Sequence, residues 1–169
     1  MRKAIFLMGF MGSGKTTIGK KLARKIKFDF FDLDEVIELS QQKTIAQLFE
    51  EIGEERFREI EREALIDIGK NQNCVISLGG GTPCFYNNMD LIKELGTSVY
   101  LKLDMPILVG RLRNTKGNRP LLAKLNHKGI SKFVREKLIE REPYYSQADF
   151  ILRSNHPKVG PIMDMLNLA

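Results

Sequence analysis

Gly9-Phe10-Met11-Gly12-Ser13-Gly14-Lys15-Thr16 is the stretch on which the reading of this chain turns, because it fits G-x-x-x-x-G-K-[ST]. Each position has a physical task. The glycines let the backbone turn so that successive N–H groups converge on phosphate oxygens. Thr16 opens a helix whose positive end faces the same anion, and its hydroxyl suits Mg²⁺. Lys15 adds a mobile charge for the terminal phosphates. The bland alternative is a chance glycine-rich turn. Context speaks against it: the apolar run Ala4–Met8 reads as a strand, and Thr16–Ile26 carries Ile18, Leu22 and Ile26 at helical spacing. Gly12, Ser13, Gly14, Lys15, Thr16 and the adjoining Thr17 are therefore candidate ATP-binding residues. The motif by itself specifies nucleotide binding only, since GTPases, ATPases and kinases share it.

Outward from the loop, strand-like and helix-like segments alternate. Strands are expected at Phe28–Leu33, Cys74–Leu78, Ser98–Leu103 and Phe150–Leu152. Helices are expected at Asp34–Leu39, Ile45–Ile52 (capped by Thr44), Glu54–Ile68, Asn88–Leu95 (ended by Gly96), Pro106–Arg113, Ser131–Arg141 (stopped by Pro143) and Val159–Leu168. This rhythm implies an α/β fold, a parallel sheet covered by helices on both faces. No repeat or linker interrupts it, so residues 1–169 read as a single domain. One long irregular stretch, about Asn114–Gly129, contains Lys116, Arg119, Lys124 and Lys128; a loop of this length in a compact domain is usually functional.

Composition narrows the partners. The chain has 169 residues, 28% of them charged, and a net charge of +6, which suits either nucleic acid or anionic small molecules. Aromatic RNA-binding motifs, zinc fingers and arginine-rich tails are absent. No apolar run approaches the roughly 20 residues of a membrane span. Met1-Arg2-Lys3 leads straight into the motif-bearing strand, which argues for a first strand and against a signal peptide. Cys74 and Cys84 form no metal pattern and no CxxC, which fits free thiols in an intracellular chain, and His127 and His156 are isolated.

In an open parallel sheet, ligands bind beyond the carboxyl ends of the strands. The first strand leads to the phosphate loop, the second to Asp32-Leu33-Asp34 and the third to Gly79-Gly80-Gly81. Strand alternation would aim Asp32 and Asp34 together at the crevice, one carboxylate for a magnesium shell, the other to orient or accept a hydroxyl proton. The blander alternative for Asp34 is the cap of the next helix, and the glycine run after the third strand weakens it. Three consecutive glycines suggest close approach to the backbone by a second substrate, or else a tight turn. Arg58 and Glu61 lie one turn apart on Glu54–Ile68, and on spacing alone they look like an exposed ion pair, as do Arg56, Glu59, Arg62 and Glu63.

Taken in order, the markers resemble the shikimate kinase family over nearly the whole chain: Gly9–Thr16, Asp32-Leu33-Asp34, Phe57-Arg58 with Glu61, Gly79-Gly80-Gly81-Thr82, Arg119-Pro120-Leu121-Leu122, and Arg141 followed by Tyr144 and Ala148-Asp149. The resemblance implies a three-layer P-loop kinase fold with a five-stranded parallel sheet in the order 2-3-1-4-5 and a mobile lid at about 114–129. It implies transfer of the γ-phosphate of MgATP to the 3-hydroxyl of shikimate, giving ADP and shikimate 3-phosphate. By position, Asp34, Arg58, Gly80 and Arg141, flanked by Gly79 and Gly81, match substrate contacts. Phe49 and Phe57 line the pocket, and Glu61 steadies the arginine. Arg119 is the lid arginine, Thr16 and Asp32 hold the metal, and Arg113 (or a neighbour) and Pro157 flank the adenine. Lys15, Asp34 and Arg119 are the catalytic candidates. Two arginines would select a substrate carboxylate, and two anionic substrates would account for the positive charge without nucleic acid or membrane. A cytoplasmic monomer is expected. A gluconate or nucleotide kinase of the same fold, or a non-catalytic nucleotide-dependent binding module, are the competing readings.

Overall fold

The computed structural model describes residues 4–115, 122 and 125–168; Arg119 and most of the expected lid lie outside them. The order of elements is β1 (Ala4–Met8), α1 (Lys15–Ile26), β2 (Asp29–Asp32), α2 (Leu33–Gln41), α3 (Ile45–Gly69), β3 (Cys74–Ser77), a 3₁₀ turn (Thr82–Cys84), α4 (Asn88–Leu95), β4 (Gly96–Lys102), α5 (Met105–Thr115), α6 (His127–Tyr145), β5 (Phe150–Arg153) and α7 (Val159–Met165). The strands form one sheet in the order β2-β3-β1-β4-β5, and every pairing is parallel. β1 and β3 are buried along their whole length. Such strands read as continuous apolar runs because helices cover both faces of the sheet. Ser77 of β3 pairs with Leu7 on one side and Asp32 on the other, so the carboxyl ends of β1, β2 and β3 finish level. The three loops noted in the sequence therefore share one edge.

Local sequence explains most boundaries. Thr44 and Gln47 make a reciprocal capping box, with Gln47 N–H donating to Thr44 Oγ1 at 3.2 Å and Thr44 N–H to Gln47 Oε1 at 2.9 Å. The two helices expected on either side of Gly53 join into one kinked helix, since Gly53 takes φ 75° and ψ 172°. Gly96 both ends α4 and begins β4. A Cβ there would sit 2.1 Å from the Ala4 carbonyl oxygen, so strand pairing itself excludes a side chain.

Two expectations are corrected. Pro143 does not stop its helix; α6 runs on to Tyr145. A proline there removes only its own N–H, and the next turn still closes, with Ser146 N–H donating to the Glu142 carbonyl at 2.9 Å. The cap of α2 is Asp32, whose Oδ1 accepts from Asp34 N–H at 3.2 Å, and Asp34 belongs to the first helical turn.

Candidate active site

A cleft of about 580 Å³ opens at the shared edge, lined among others by Gly12, Gly14, Lys15, Thr16, Thr17, Asp32, Asp34, Gly79, Gly80 and Arg111. On one side is the phosphate loop. Gly12 and Gly14 adopt φ 81° and 97°, values that tolerate no ordinary side chain. Lys15 is buried, its ammonium donating to the carbonyls of Gly9 at 2.8 Å and Phe10 at 3.1 Å. Ser13 is fully buried and its hydroxyl has no hydrogen-bond partner among the described residues; it is not among the residues lining the cleft.

The carboxylates meet the loop from β2 and α2. Thr16 Oγ1 donates to Asp32 Oδ2 at 2.7 Å. Asp34 reaches the cleft from α2 and not, as alternation suggested, from the strand. Its carboxyl is pushed up to about 6, first by burial and then by the Asp32 and Glu61 carboxylates, with Lys15 opposing. No cluster of three His, Cys, Asp or Glu side chains exists among the described residues. One hydroxyl and one or two carboxylates are hard oxygen donors of the kind that suit an ion keeping most of its water and completing its shell on phosphates.

The opposite wall is the glycine run. None of Gly79, Gly80 or Gly81 has a positive φ; the requirement is space. A Cβ at Gly79 would lie 3.0 Å from Asp34 Oδ1 and 3.1 Å from Glu61 Oε1. At Gly80 it would lie 3.2 Å from Arg141 Nη1, and at Gly81 2.6 Å from Arg58 Nη2. The run thus lets two arginines and two carboxylates close on one strand end. Arg58 and Glu61, which spacing alone assigned to the surface, are 7% and 1% exposed and pair at 2.8 Å. Arg58 also lies over the rings of Phe85 (4.2 Å), Phe57 (5.3 Å) and Phe49 (5.6 Å). Thr82 Oγ1 donates to Glu61 Oε1 at 2.6 Å, which fixes the second carboxylate oxygen. Arg141 lies 5.7 Å over the Phe10 ring.

Several residues about the cleft escaped the sequence reading. Arg113 is exposed and its guanidinium lies 3.4 Å from Ser131 Oγ, in a surface groove with Lys128 and Arg135. Arg111 instead reaches the loop, donating to the Gly12 carbonyl at 3.0 Å and the Asn155 carbonyl at 2.9 Å. Arg111 and Pro157 both lie about Gly14. Residues two positions apart in a helix lie about 200° apart around its axis, so a helical wheel anchored on Leu108 and Leu112 carried the signal. Tyr145, the neighbour of the marker Tyr144, is fully buried. Its hydroxyl, held protonated by burial, donates to the Gly80 carbonyl. Phe85 had no sequence signal, because its role depends on the loop that brings it to Arg58.

A phosphate loop and a glycine run backed by two arginines, with the Asp34 carboxylate in the cleft they share, fit a P-loop kinase of small molecules. The sequence profile of the family described as Shikimate kinase matches residues 11–165. The chain is 47% identical over 165 residues to the shikimate kinase of Azobacteroides pseudotrichonymphae genomovar. CFP2, covering 97% of each. Its structure matches a crystal structure of shikimate kinase from Bacteroides thetaiotaomicron with a TM-score of 0.95 at 40% identity, covering 98% of this chain and 99% of that one. It matches shikimate kinase from Acinetobacter baumannii in complex with shikimate with a TM-score of 0.87 at 30% identity, over 99% and 92%. The chain belongs to the shikimate kinase family.

Proposed function

We propose that the protein transfers the γ-phosphate of ATP to the 3-hydroxyl of shikimate, yielding ADP and shikimate 3-phosphate on the route to chorismate. The observation that carries this reading is the position of Asp34: it lines the same cleft as Lys15 and Thr16, and it lies against Gly79 where the Arg58–Glu61 pair begins. An acceptor clamped at its carboxylate by Arg58 and Arg141 would present a hydroxyl to Asp34. That carboxylate orients the hydroxyl and takes its proton as the phosphoryl group arrives. Phosphoryl transfer needs positioning and charge neutralisation more than covalent help, and Lys15 and Arg119 supply positive charge. Thr16 and Asp32 would hold Mg²⁺, which when bound neutralises the phosphate oxygens. Arg111 and Pro157 would flank the adenine. The segment around 114–129 acts as a lid that excludes water, and the enzyme works as a cytoplasmic monomer. No helix among the described residues is long and apolar enough to cross a membrane.

The test is a coupled ADP-release assay with MgATP and, separately, shikimate, gluconate and a nucleoside monophosphate. Release that requires shikimate and is lost in Asp34→Asn supports the reading. Release with a different acceptor alone would keep the kinase and discard the substrate.

A further inference from the structure

Arg62 was expected to join the exposed charge pairs of α3, as Arg56 does with Glu59. It does something else. Its guanidinium donates to the Tyr86 carbonyl and, at 2.6 Å, to Asn88 Oδ1. The segment it grips is unusual. Tyr86 and Asn87 take φ 48° and 54° in succession, and Asn88 N–H closes the turn on the Phe85 carbonyl at 2.9 Å. An aromatic residue rarely adopts the left-handed region, and Tyr86 does so while 45% exposed. Strained backbone of this kind persists where the surroundings over-determine it, often beside a functional site. Here the residue just before the turn is Phe85, whose ring lies 4.2 Å from the Arg58 guanidinium carbon, nearer than the other two rings.

A second route leads from Arg62 to the same place. Asn88 is fully buried, and its amide passes on to the Thr82 carbonyl at 2.8 Å. The Thr82 hydroxyl bonds Glu61 at 2.6 Å, and Glu61 pairs with Arg58 at 2.8 Å. Arg62 thus touches one end of both supports of Arg58: the ring on its face and the carboxylate on its edge.

We infer that Arg62 is a positioning residue for substrate recognition, clamping the left-handed turn at Tyr86–Asn87 so that Phe85 and Glu61 fix the direction in which Arg58 meets the substrate carboxylate. This rests on the reading that Arg58 binds that carboxylate.

The experiment measures steady-state kinetics with shikimate and with its neutral carboxamide, in Arg62→Met, in Arg58→Met, and in Arg62→Met combined with Tyr86→Asn and Asn87→Gly. Asn-Gly adopts two successive left-handed residues without strain, so it forms the turn without the clamp. Thermal midpoints check folding, and Arg62→Lys, which keeps the charge but not the fork, replaces Arg62→Met if the latter does not fold. Arg62→Met should raise KM for shikimate roughly fivefold to thirtyfold, the scale of a partly desolvated cation–π contact. kcat and KM for ATP should stay within about twofold, the preference for acid over amide should fall by the same factor as KM rises, and the Asn-Gly turn should restore it. Preference kept in Arg62→Met but lost in Arg58→Met overturns the inference and leaves the Arg58 reading intact. An equal rise in KM for acid and amide overturns it as general loosening, and so does a folded Asn-Gly variant without restored preference. Preference kept in Arg58→Met removes the underlying reading and the inference with it.

Discussion

Asp34 carries opposing demands. Its carboxyl is raised to about 6, so the ionised form that accepts a proton is populated only above that pH. The rate with shikimate should fall as pH drops through about 6. Asp34→Asn should lower kcat roughly a hundredfold to ten-thousandfold, and the residual rate should lose that limb. The same shift has a stability consequence. A carboxyl whose folded pKa lies above its unfolded value of 3.8 binds protons more tightly in the native state. The native state is therefore favoured below about 3.8 and loses that advantage as pH rises to 6. At pH 7 the charged Asp34 is a burden, and Asp34→Asn should be more stable than the parent by about 1–2 kcal/mol after allowing for solvent screening. Denaturant titration of both proteins at pH 7 checks this, and a less stable variant would contradict it. Such a result would place the carboxylate among groups kept for chemistry at a cost in stability.

At the scale of elements, close contacts decide how β4 lies against β1 and how α6 meets the glycine run. Gly96 stands where α4 turns into β4 with the Ala4 carbonyl against it, and backbone, unlike a long side chain, has nowhere to move. Gly96→Ala should destabilise by about 3 kcal/mol, the upper part of the usual overpacking range, read as a lower denaturation midpoint. α6 carries Arg141 and, one turn on, Tyr145, which bonds the Gly80 carbonyl. Tyr145→Phe removes that donor and leaves the carbonyl without it, a loss of about 1–2 kcal/mol. Because the bond joins the helix of one arginine to the glycine run, KM for shikimate should rise while KM for ATP holds. Equal changes in both would assign Tyr145 to stability alone. Helices, strands and their order were legible in the sequence because apolar periodicity and capping are local. The end of α6 was not, because whether a proline stops a helix depends on what the following turn can bond to.

For the whole molecule, the parallel sheet gathers the loops after β1, β2 and β3 at one edge, so the phosphate loop and the glycine run line one cleft. Hydrogen exchange across residues 114–129 should slow when ATP and shikimate are both present; unchanged protection would sink the closure. Removing divalent ions with a chelator should abolish transfer, with Mg²⁺ restoring it, since Thr16, Asp32 and Asp34 offer hard oxygen donors beside the phosphate loop.

The sequence by itself determined the phosphate loop, the parallel α/β order, the two carboxylates and the glycine run, because each is written in adjacent residues or in a repeating period. Only the tertiary structure decided that Arg58 and Glu61 are buried, that Arg111 and not Arg113 faces the loop, that Asp34 enters the cleft from a helix, and that Phe85 lies against Arg58 and Tyr145 bonds Gly80. Burial and pairing between residues far apart in the chain depend on how helices rotate against the sheet. Their energies come from desolvation and close approach, which no local pattern of residues records.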